Sequence, residues 1–197
     1  MRKLAVVDLD RVVANSDARF AMAALAKEQW LMERQKGLPY AVEALAEKSA
    51  TDVYWREAFN PIHVPLDELI DGADGDIIAL TLQGYEIVYL TSRPSSMRVA
   101  TLAWLEYYNL LASDEFSRLV MKESAFQYVK TIVWKAGMAQ TLAHLFDAEE
   151  ILFITDQQAE IDELQRYQCP FLLRVALSLD EAVNGKEDEP DDDGHPF

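Results

Sequence analysis

A short apolar run near the start of the chain ends on two acidic residues, and this feature restricts the possible fold more than any other. Residues 4–7 are all aliphatic, and Asp8 and Asp10 follow them. Such a run is typical of a strand buried on both faces of a parallel sheet. Successive strand side chains point to opposite faces, so Asp8 and Asp10 share a face. Two adjacent carboxylates are costly unless a cation neutralises them, so the pattern indicates a ligand site at a strand end.

Strands alternate with helical segments along the rest of the chain. Apolar runs over 85–91, 119–121, 150–155 and 170–175 predict four more strands. The periodicity predicts helices over 16–36, 40–50, 95–110, 129–146 and 156–167, a short helix and loop over 51–62, and a helix over 65–83 that is interrupted near residue 71. This alternation predicts an α/β fold, a three-layer sandwich with a central parallel five-stranded sheet.

The predicted first and second strands are unusually far apart. Residues 14–76 are longer than a crossover requires, so we expect a small helical cap, inserted after strand 1 and lying over the strand ends. The core domain then comprises residues 1–13 and 77–183. Residues 184–197 are rich in acids and prolines, and we expect a disordered acidic tail.

Composition excludes several classes of function. The chain has 197 residues, a net charge of −16 and a pI near 4.5, which argues against an extended nucleic-acid-binding surface. The single cysteine, Cys169, excludes an internal disulfide and a multi-cysteine metal site. The first apolar run is too short for a signal peptide, and no run is long enough to cross a membrane. We therefore expect a cytoplasmic protein without a membrane partner.

Other predicted strand ends also carry polar side chains. Thr91, Ser92 and Arg93 end the second strand, Asp156 follows the fourth, and Lys135 lies on the helix before it. The carboxyl ends of parallel strands meet at one edge of a sheet. The fold would therefore gather carboxylates, a hydroxyl and cations around one point.

These residues, in this order, resemble the four motifs of the haloacid dehalogenase (HAD) superfamily of phosphohydrolases, over roughly residues 3–175. Asp8-Leu9-Asp10 resembles the first motif, and Thr91, Lys135 and Asp156 resemble the second, third and fourth. The resemblance implies a Rossmannoid, HAD-like fold. Residues 85–104 are also similar to polynucleotide-3′-phosphatase-like HAD domains, in which the second motif reads Thr/Ser-Gly-Arg. Arg19 stands where those phosphatases carry an arginine.

The resemblance implies a phosphatase that acts through an aspartyl-phosphate. Asp8 would be the nucleophile, and Asp10 would protonate the leaving oxygen and later activate water. Thr91 would donate to a phosphoryl oxygen, and Lys135 would offset its charge. A Mg²⁺ ion would be held by Asp8, by the backbone carbonyl of Asp10 and by Asp156.

Substrate would be bound by Arg19, Ser92 and Arg93. We expect a nucleotide or a 3′-phosphorylated nucleic-acid end. A 5′-nucleotidase or small-metabolite phosphatase is the nearest alternative, and a catalytically silent HAD-like domain that binds a protein is the alternative from another class. A positive rim around the pocket would favour polyanionic substrates; its members would be Arg11, Arg19, Arg93 and Arg98.

Several residues have a second interpretation. Thr91 could cap the helix that begins near residue 95. Lys122 and Lys130 compete with Lys135 for the third motif. Arg93 could pair with an acid on the cap rather than with substrate.

The acids after the fourth motif are open too. Glu160 and Asp162 could be ordinary first-turn helix acids, or Glu160 could brace the site as in many HAD relatives. The three histidines are too scattered for a metal site. The four tryptophans, among them Trp55, are expected in the core rather than as base-stacking platforms.

Two departures from the family pattern stand beside the motifs. The usual Gly-Thr after the second aspartate is replaced by Arg11-Val12, which places a cation beside the site and stiffens the loop. The fourth motif reads Thr155-Asp156-Gln157-Gln158, where polynucleotide-type phosphatases often have Asp-Asp-Arg-Pro. The missing acid and arginine weaken the case for a polynucleotide substrate.

Overall fold

A computed structural model of the chain describes residues 2–34, 40–111, 118–166 and 171–184. The predicted tail lies outside these residues apart from Asn184, and so does Cys169. The helices and strands, in chain order, are β1 (Lys3–Val7), β2 (Ala14–Asn15), α1 (Asp17–Arg34), α2 (Tyr40–Ala58), β3 (Glu68–Leu69), α3 (Ala73–Leu82), β4 (Tyr85–Pro94), α4 (Arg98–Tyr107), β5 (Leu119–Lys122), α5 (Thr131–Leu145), β6 (Glu150–Ile154), α6 (Gln158–Gln165), β7 (Leu172–Ala176) and α7 (Leu179–Asn184).

Five parallel strands form the central sheet, in the order β5-β4-β1-β6-β7. The strand β1 is central because its aliphatic run is buried on both faces. Leu4 and Val6 pack in a core with α5 and α6, whereas Ala5 and Val7 pack in the opposite core with α3, α4 and α7. The predicted α/β fold with a five-stranded parallel sheet between helical layers is confirmed.

The chain between β1 and β4 forms helices and a small second sheet. Helices α1 and α2 pack on each other. The strands β2 and β3 pair antiparallel, with Ala14 opposite Leu69 and Asn15 opposite Glu68. This pairing ties the loop after β1 to the segment that precedes α3.

Some predicted boundaries were wrong. Helix α2 continues to Ala58, beyond the predicted end at residue 50. The helix predicted over 65–83, interrupted near residue 71, forms only in its second half, as α3. Before that, the chain forms a 3₁₀ turn (Pro61–Leu66) followed by β3. Pro65 leaves its turn without one backbone donor, and the pairing with β2 holds the next residues extended. In the part of the chain described, no helix has the length and apolarity needed to span a membrane.

Candidate active site

The carboxyl ends of the central strands open into a cavity of about 740 Å³. Asp8 follows β1, Ser92 lies near the end of β4, Asp156 follows β6, and all three line this cavity. Asp10 and Lys135 line it as well. The fold therefore brings together five predicted site residues that are up to 148 positions apart in the sequence. The three others, Thr91, Arg19 and Arg93, are fully buried behind its wall.

Asp8 and Glu160 hold the amino group of Lys135 between them. Lys135 Nζ donates to Asp8 Oδ2 and, at 2.9 Å, to Glu160 Oε2. The hydroxyl of Thr155 donates to the same Glu160 oxygen at 2.8 Å. Glu160 is therefore buried at the site, in the bracing position, and not exposed on the first turn of α6. Of the three lysines considered for the third motif, Lys135 is the one against Asp8.

Burial perturbs the titration of this pair. Removal from water raises the pKa of Asp8 to about 7, although Lys135 acts in the opposite direction. Burial would lower the pKa of Lys135, but Asp8 and Glu160 more than offset this, so its pKa is raised. Lys135 is therefore a fixed positive charge beside Asp8. For the pKa of Asp8, loss of hydration outweighs the effect of Lys135.

Two arginines surround the second acid, Asp10. Arg19 Nη2 and Arg93 Nη2 each donate to Asp10 Oδ1 at 2.6 Å, and Arg93 Nε lies 3.2 Å from both of its oxygens. The hydroxyl of Ser16 also donates to Asp10. Burial alone would raise the pKa of Asp10, but Arg93 and Arg19 lower it to about 2. Asp10 is thus held as a carboxylate with a fixed orientation.

Asp67 completes this network, and it was not predicted from the sequence. Its buried carboxylate accepts from Arg19 Nε at 2.9 Å and from Arg93 Nη2 at 2.7 Å. Its backbone carbonyl accepts from Trp104 Nε1 at 2.8 Å. The available signal was a charge imbalance, because two arginines predicted at one buried site need more than Asp10 to neutralise them. The structure thus places an acid that directly precedes β3 against Arg93, as one of the two interpretations of Arg93 anticipated.

The end of β4 presents Ser92, and not Thr91, to the cavity. Thr91 is fully buried, and its hydroxyl oxygen accepts from the backbone N–H of Arg93 at 3.2 Å. The turn at Ser95–Met97 begins without a side-chain cap, so Thr91 does not cap it. Contact between Thr91 and a phosphoryl oxygen stays a prediction, as does direct substrate binding by either arginine.

Asp156 lines the same cavity as the first pair of acids. Its Oδ1 atom is buried and has no hydrogen-bond partner among the described residues. Its other oxygen, Oδ2, lies 4.0 Å from Arg11 Nη1, at the edge of ion-pair distance. Arg11 adopts a left-handed backbone with φ of 67°. The tight turn back to Ala14 imposes this conformation, since Arg11 N–H donates to the Ala14 carbonyl at 2.8 Å.

Aromatic rings form the wall of the cavity on the side of α1 and α2. Phe20 comes from α1, Tyr54 and Trp55 from α2, and Phe59 from the turn after it. Trp104 and Trp134 are in the core as expected, but the expectation is wrong for Trp55, whose surface is 47% exposed. The reason is that α2 turns one face to the open cavity and not to the sheet.

Comparison with known proteins supports the fold. No family model and no curated protein matches this chain. Solved structures do match. A predicted phosphatase from Clostridium difficile has a TM-score of 0.61 at 14% identity, over 92% of this chain and 98% of that chain. A predicted phosphoglycolate phosphatase from Haemophilus somnus has a TM-score of 0.59 at 16% identity, over 93% and 97%.

A third match carries the superfamily name. A HAD-superfamily hydrolase of subfamily IA from Geobacter sulfurreducens has a TM-score of 0.56 at 19% identity, over 93% of this chain and 95% of that chain. The chain has the HAD fold. None of these three proteins is described as a polynucleotide phosphatase. The HAD fold accounts for the gathering of Asp8, Asp10 and Asp156 at one sheet edge, and the side-chain contacts above are properties of this chain.

The donor set of this HAD-fold site suits a hard divalent cation. The described residues contain no group of three His, Cys, Asp or Glu side chains arranged to hold a metal. Two carboxylates and one backbone carbonyl do not require such a group. The Asp156 Oδ1 atom is buried and has no donor among the described residues, and Asp8 lines the same cavity. Oxygen ligands of this kind fit Mg²⁺ and do not fit zinc.

Proposed function

We propose that the protein is a Mg²⁺-dependent phosphomonoesterase that transfers the phosphoryl group of its substrate to Asp8 and then to water. One observation carries the proposal. A buried carboxylate, Asp8, lies on the cavity wall with Lys135 fixed against it and with Asp10 and Asp156 lining the same cavity. A buried nucleophile next to a cation and a second acid suits attack on phosphorus.

The reaction would proceed in two steps. An oxygen of Asp8 attacks phosphorus, and the ester P–O bond breaks. Because Asp10 is a carboxylate in the free protein, it takes up the proton of the substrate's monoanionic phosphate and passes it to the leaving oxygen. Transfer of this proton leaves Asp10 as a carboxylate, which Arg19 and Arg93 stabilise. Water then attacks the aspartyl-phosphate, Asp10 accepts a proton from that water, and phosphate leaves Asp8 as a free carboxylate.

Mg²⁺ would be held by Asp8, Asp156 and the backbone carbonyl of Asp10, and would supply positive charge to the phosphoryl oxygens. Lys135 would offset charge on the phosphoryl group. In this arrangement Arg19 and Arg93 act as positioning residues, since most of their donors are directed to Asp10, to Asp67 and to the Ala58 carbonyl. Among the described residues, Arg93 Nη1 is left without a partner.

The charge of the cavity favours a small phosphomonoester over a nucleic-acid end. Among the described lining residues the cations are Arg11, Lys122 and Lys135. Lys135 is paired with Asp8, and Lys122 Nζ donates to the Val129 carbonyl at 2.6 Å. The other members of the expected positive rim, Arg19, Arg93 and Arg98, do not line it. A chain of phosphates would therefore find little positive charge beyond the reacting group.

The same cavity supports the proposal that α1 and α2 act as a cap. Their aromatic side chains line the same cavity as the acids at the sheet edge. Covering a phosphoryl site excludes water and strengthens electrostatic interactions within it. A silent protein-binding domain would not require a buried lysine paired with the first acid.

A direct assay tests this function. Phosphate release is measured from mononucleotides, sugar phosphates, p-nitrophenyl phosphate and 3′-phosphorylated oligonucleotides, with Mg²⁺ and with EDTA, and Asp8→Asn is the blank. We expect Mg²⁺-dependent release from small monoesters and none from the Asp8→Asn variant. Absence of release from every phosphoester would favour the silent binding domain.

A further inference from the structure

The aromatic wall, which comprises Phe20, Tyr54, Trp55 and Phe59, is a continuous set of ring contacts. The rings of Phe20 and Tyr54 stack with centroids 6.5 Å apart and planes 15° apart. Tyr54 meets Trp55 edge-on at 4.9 Å, and Trp55 stacks on Phe59 at 5.4 Å and 16°. Phe59 also packs against the core of the sheet. The wall is therefore a rigid surface and not a set of independent side chains.

This aromatic wall is joined to the reacting end of the site. The guanidinium carbon of Arg19 lies 4.8 Å from the centroid of the Phe20 ring. The same guanidinium donates to Asp10. Arg19 thus contacts both the Phe20 ring and Asp10. These two contacts fix the distance between the aromatic wall and Asp10. A ligand that bridges the two must carry a flat group and a phosphate at a set separation.

Uncharged polar side chains also line the cavity, beside Lys122 and Glu123. They are hydroxyls and amides that suit sugar hydroxyls and the polar edge of a heterocycle. They are Ser92, Ser95, Ser96, Ser124, Gln127, Thr131 and Gln157. The volume of about 740 Å³ lies within the range of about 300–1,000 Å³ typical of small-ligand sites.

We propose that the aromatic wall, with Trp55 as its most exposed ring, stacks the base of a nucleoside monophosphate whose phosphate lies at Asp8. This inference rests on the proposed phosphomonoesterase function and names its substrate class. Flat heterocycles stack on aromatic side chains whatever the base, so the wall selects for a base and not for its identity. The scarcity of unpaired cations limits the ligand to one phosphate.

Binding to the Asp8→Asn variant tests the wall without turnover. Titration calorimetry with Mg²⁺ compares nucleoside 5′- and 3′-monophosphates, ribose 5-phosphate and a 3′-phosphorylated oligonucleotide. One further substitution is added to this variant: Trp55→Leu, Trp55→Phe or, as the control, Tyr107→Leu. Tyr107 suits the control because it is 78% exposed and does not line the cavity. We expect Trp55→Leu to weaken nucleotide binding about 10-fold to 100-fold and Trp55→Phe to retain most of it. Trp55→Leu should not change the binding of ribose 5-phosphate, and Tyr107→Leu should not change the binding of nucleotides.

The outcomes separate the two proposals. Equal binding of ribose 5-phosphate and nucleotides, or no effect of Trp55→Leu, would overturn the base site even if the wild-type enzyme releases phosphate. Tighter binding of the oligonucleotide than of mononucleotides would overturn the restriction to a single nucleotide. If nucleotide binding depends on Trp55 but the wild-type protein hydrolyses no monoester, the proposal of a base site stands and the proposal of a phosphatase is refuted.

Discussion

Lys135 and Asp8 are 127 positions apart in the chain, yet the amino group of Lys135 donates directly to the carboxylate of Asp8. The contact joins α5 to the carboxyl end of β1, and Glu160 extends it to α6. All three side chains are buried, with at most 5% of their surfaces exposed. The nucleophile of the proposed reaction is therefore fixed by a charge network inside the protein.

Replacement of Lys135 by Met should impair both stability and turnover. The variant leaves Asp8 and Glu160 buried without their cation, which should lower the free energy of unfolding by about 3–5 kcal/mol. Phosphate release should fall by at least about 10²-fold, as when one charge-stabilising group is lost from a transition state. Urea unfolding and initial rates measure the two effects. Lys130→Met, on an exposed lysine of the same region, should leave both unchanged; equal losses in the two variants would contradict the account.

Asp67 should be a positioning residue for the second acid. Asp67→Asn leaves Arg19 and Arg93 with one carboxylate instead of two, so we expect a loss of about 3 kcal/mol in unfolding free energy. The rate should fall as well, because both arginines can then turn away from Asp10. Asp71→Asn removes an exposed acid four positions later and should change stability by less than about 0.5 kcal/mol. A fully active Asp67→Asn enzyme would show that Asp10 needs no second anchor.

Arg11 should weaken the binding of the metal, and its left-handed backbone should lower the stability of the protein. A residue other than glycine in the left-handed conformation costs about 1–2 kcal/mol. Arg11→Gly removes this cost but makes the unfolded chain more flexible, so the free energy of unfolding of the variant should rise by up to about 1 kcal/mol. The loss of a cation near Asp156 should lower the Mg²⁺ concentration that gives half-maximal rate. Arg11→Lys keeps the charge and should keep the metal requirement. A higher Mg²⁺ requirement in Arg11→Gly would mean that Arg11 assists the site.

The central sheet could be predicted because its strands are nearly continuous apolar runs, and such runs are stable only when they are buried. The short strands β2 and β3 could not, since two residues each carry no periodic signal and are held by pairing alone. Helix α7 was missed for a similar reason, as six residues span less than two turns.

The acids at strand ends could also be predicted, because topology alone brings Asp8 and Asp156 to one edge. Asp67 could not, since its partners lie 48 and 26 positions away and its own neighbours suggest a helix. Trp55 was misplaced because an aromatic residue at helical spacing is compatible with either a core or a cavity wall. Only the direction of α2 relative to the sheet decides between them.

Trapping of a phosphorylated Asp8 would test the central claim most directly. The variant Asp10→Asn keeps the nucleophile but lacks the base that activates water. With Mg²⁺ and p-nitrophenyl phosphate, whose leaving group needs no proton, the covalent intermediate should therefore accumulate. Acid quenching and peptide mass spectrometry should find one phosphoryl group on the peptide that contains Asp8, labile to hydroxylamine and absent from the Asp8→Asn protein. Turnover of a phosphomonoester by the wild type, with no phosphoryl group on Asp8 in any quenched sample, would contradict the account.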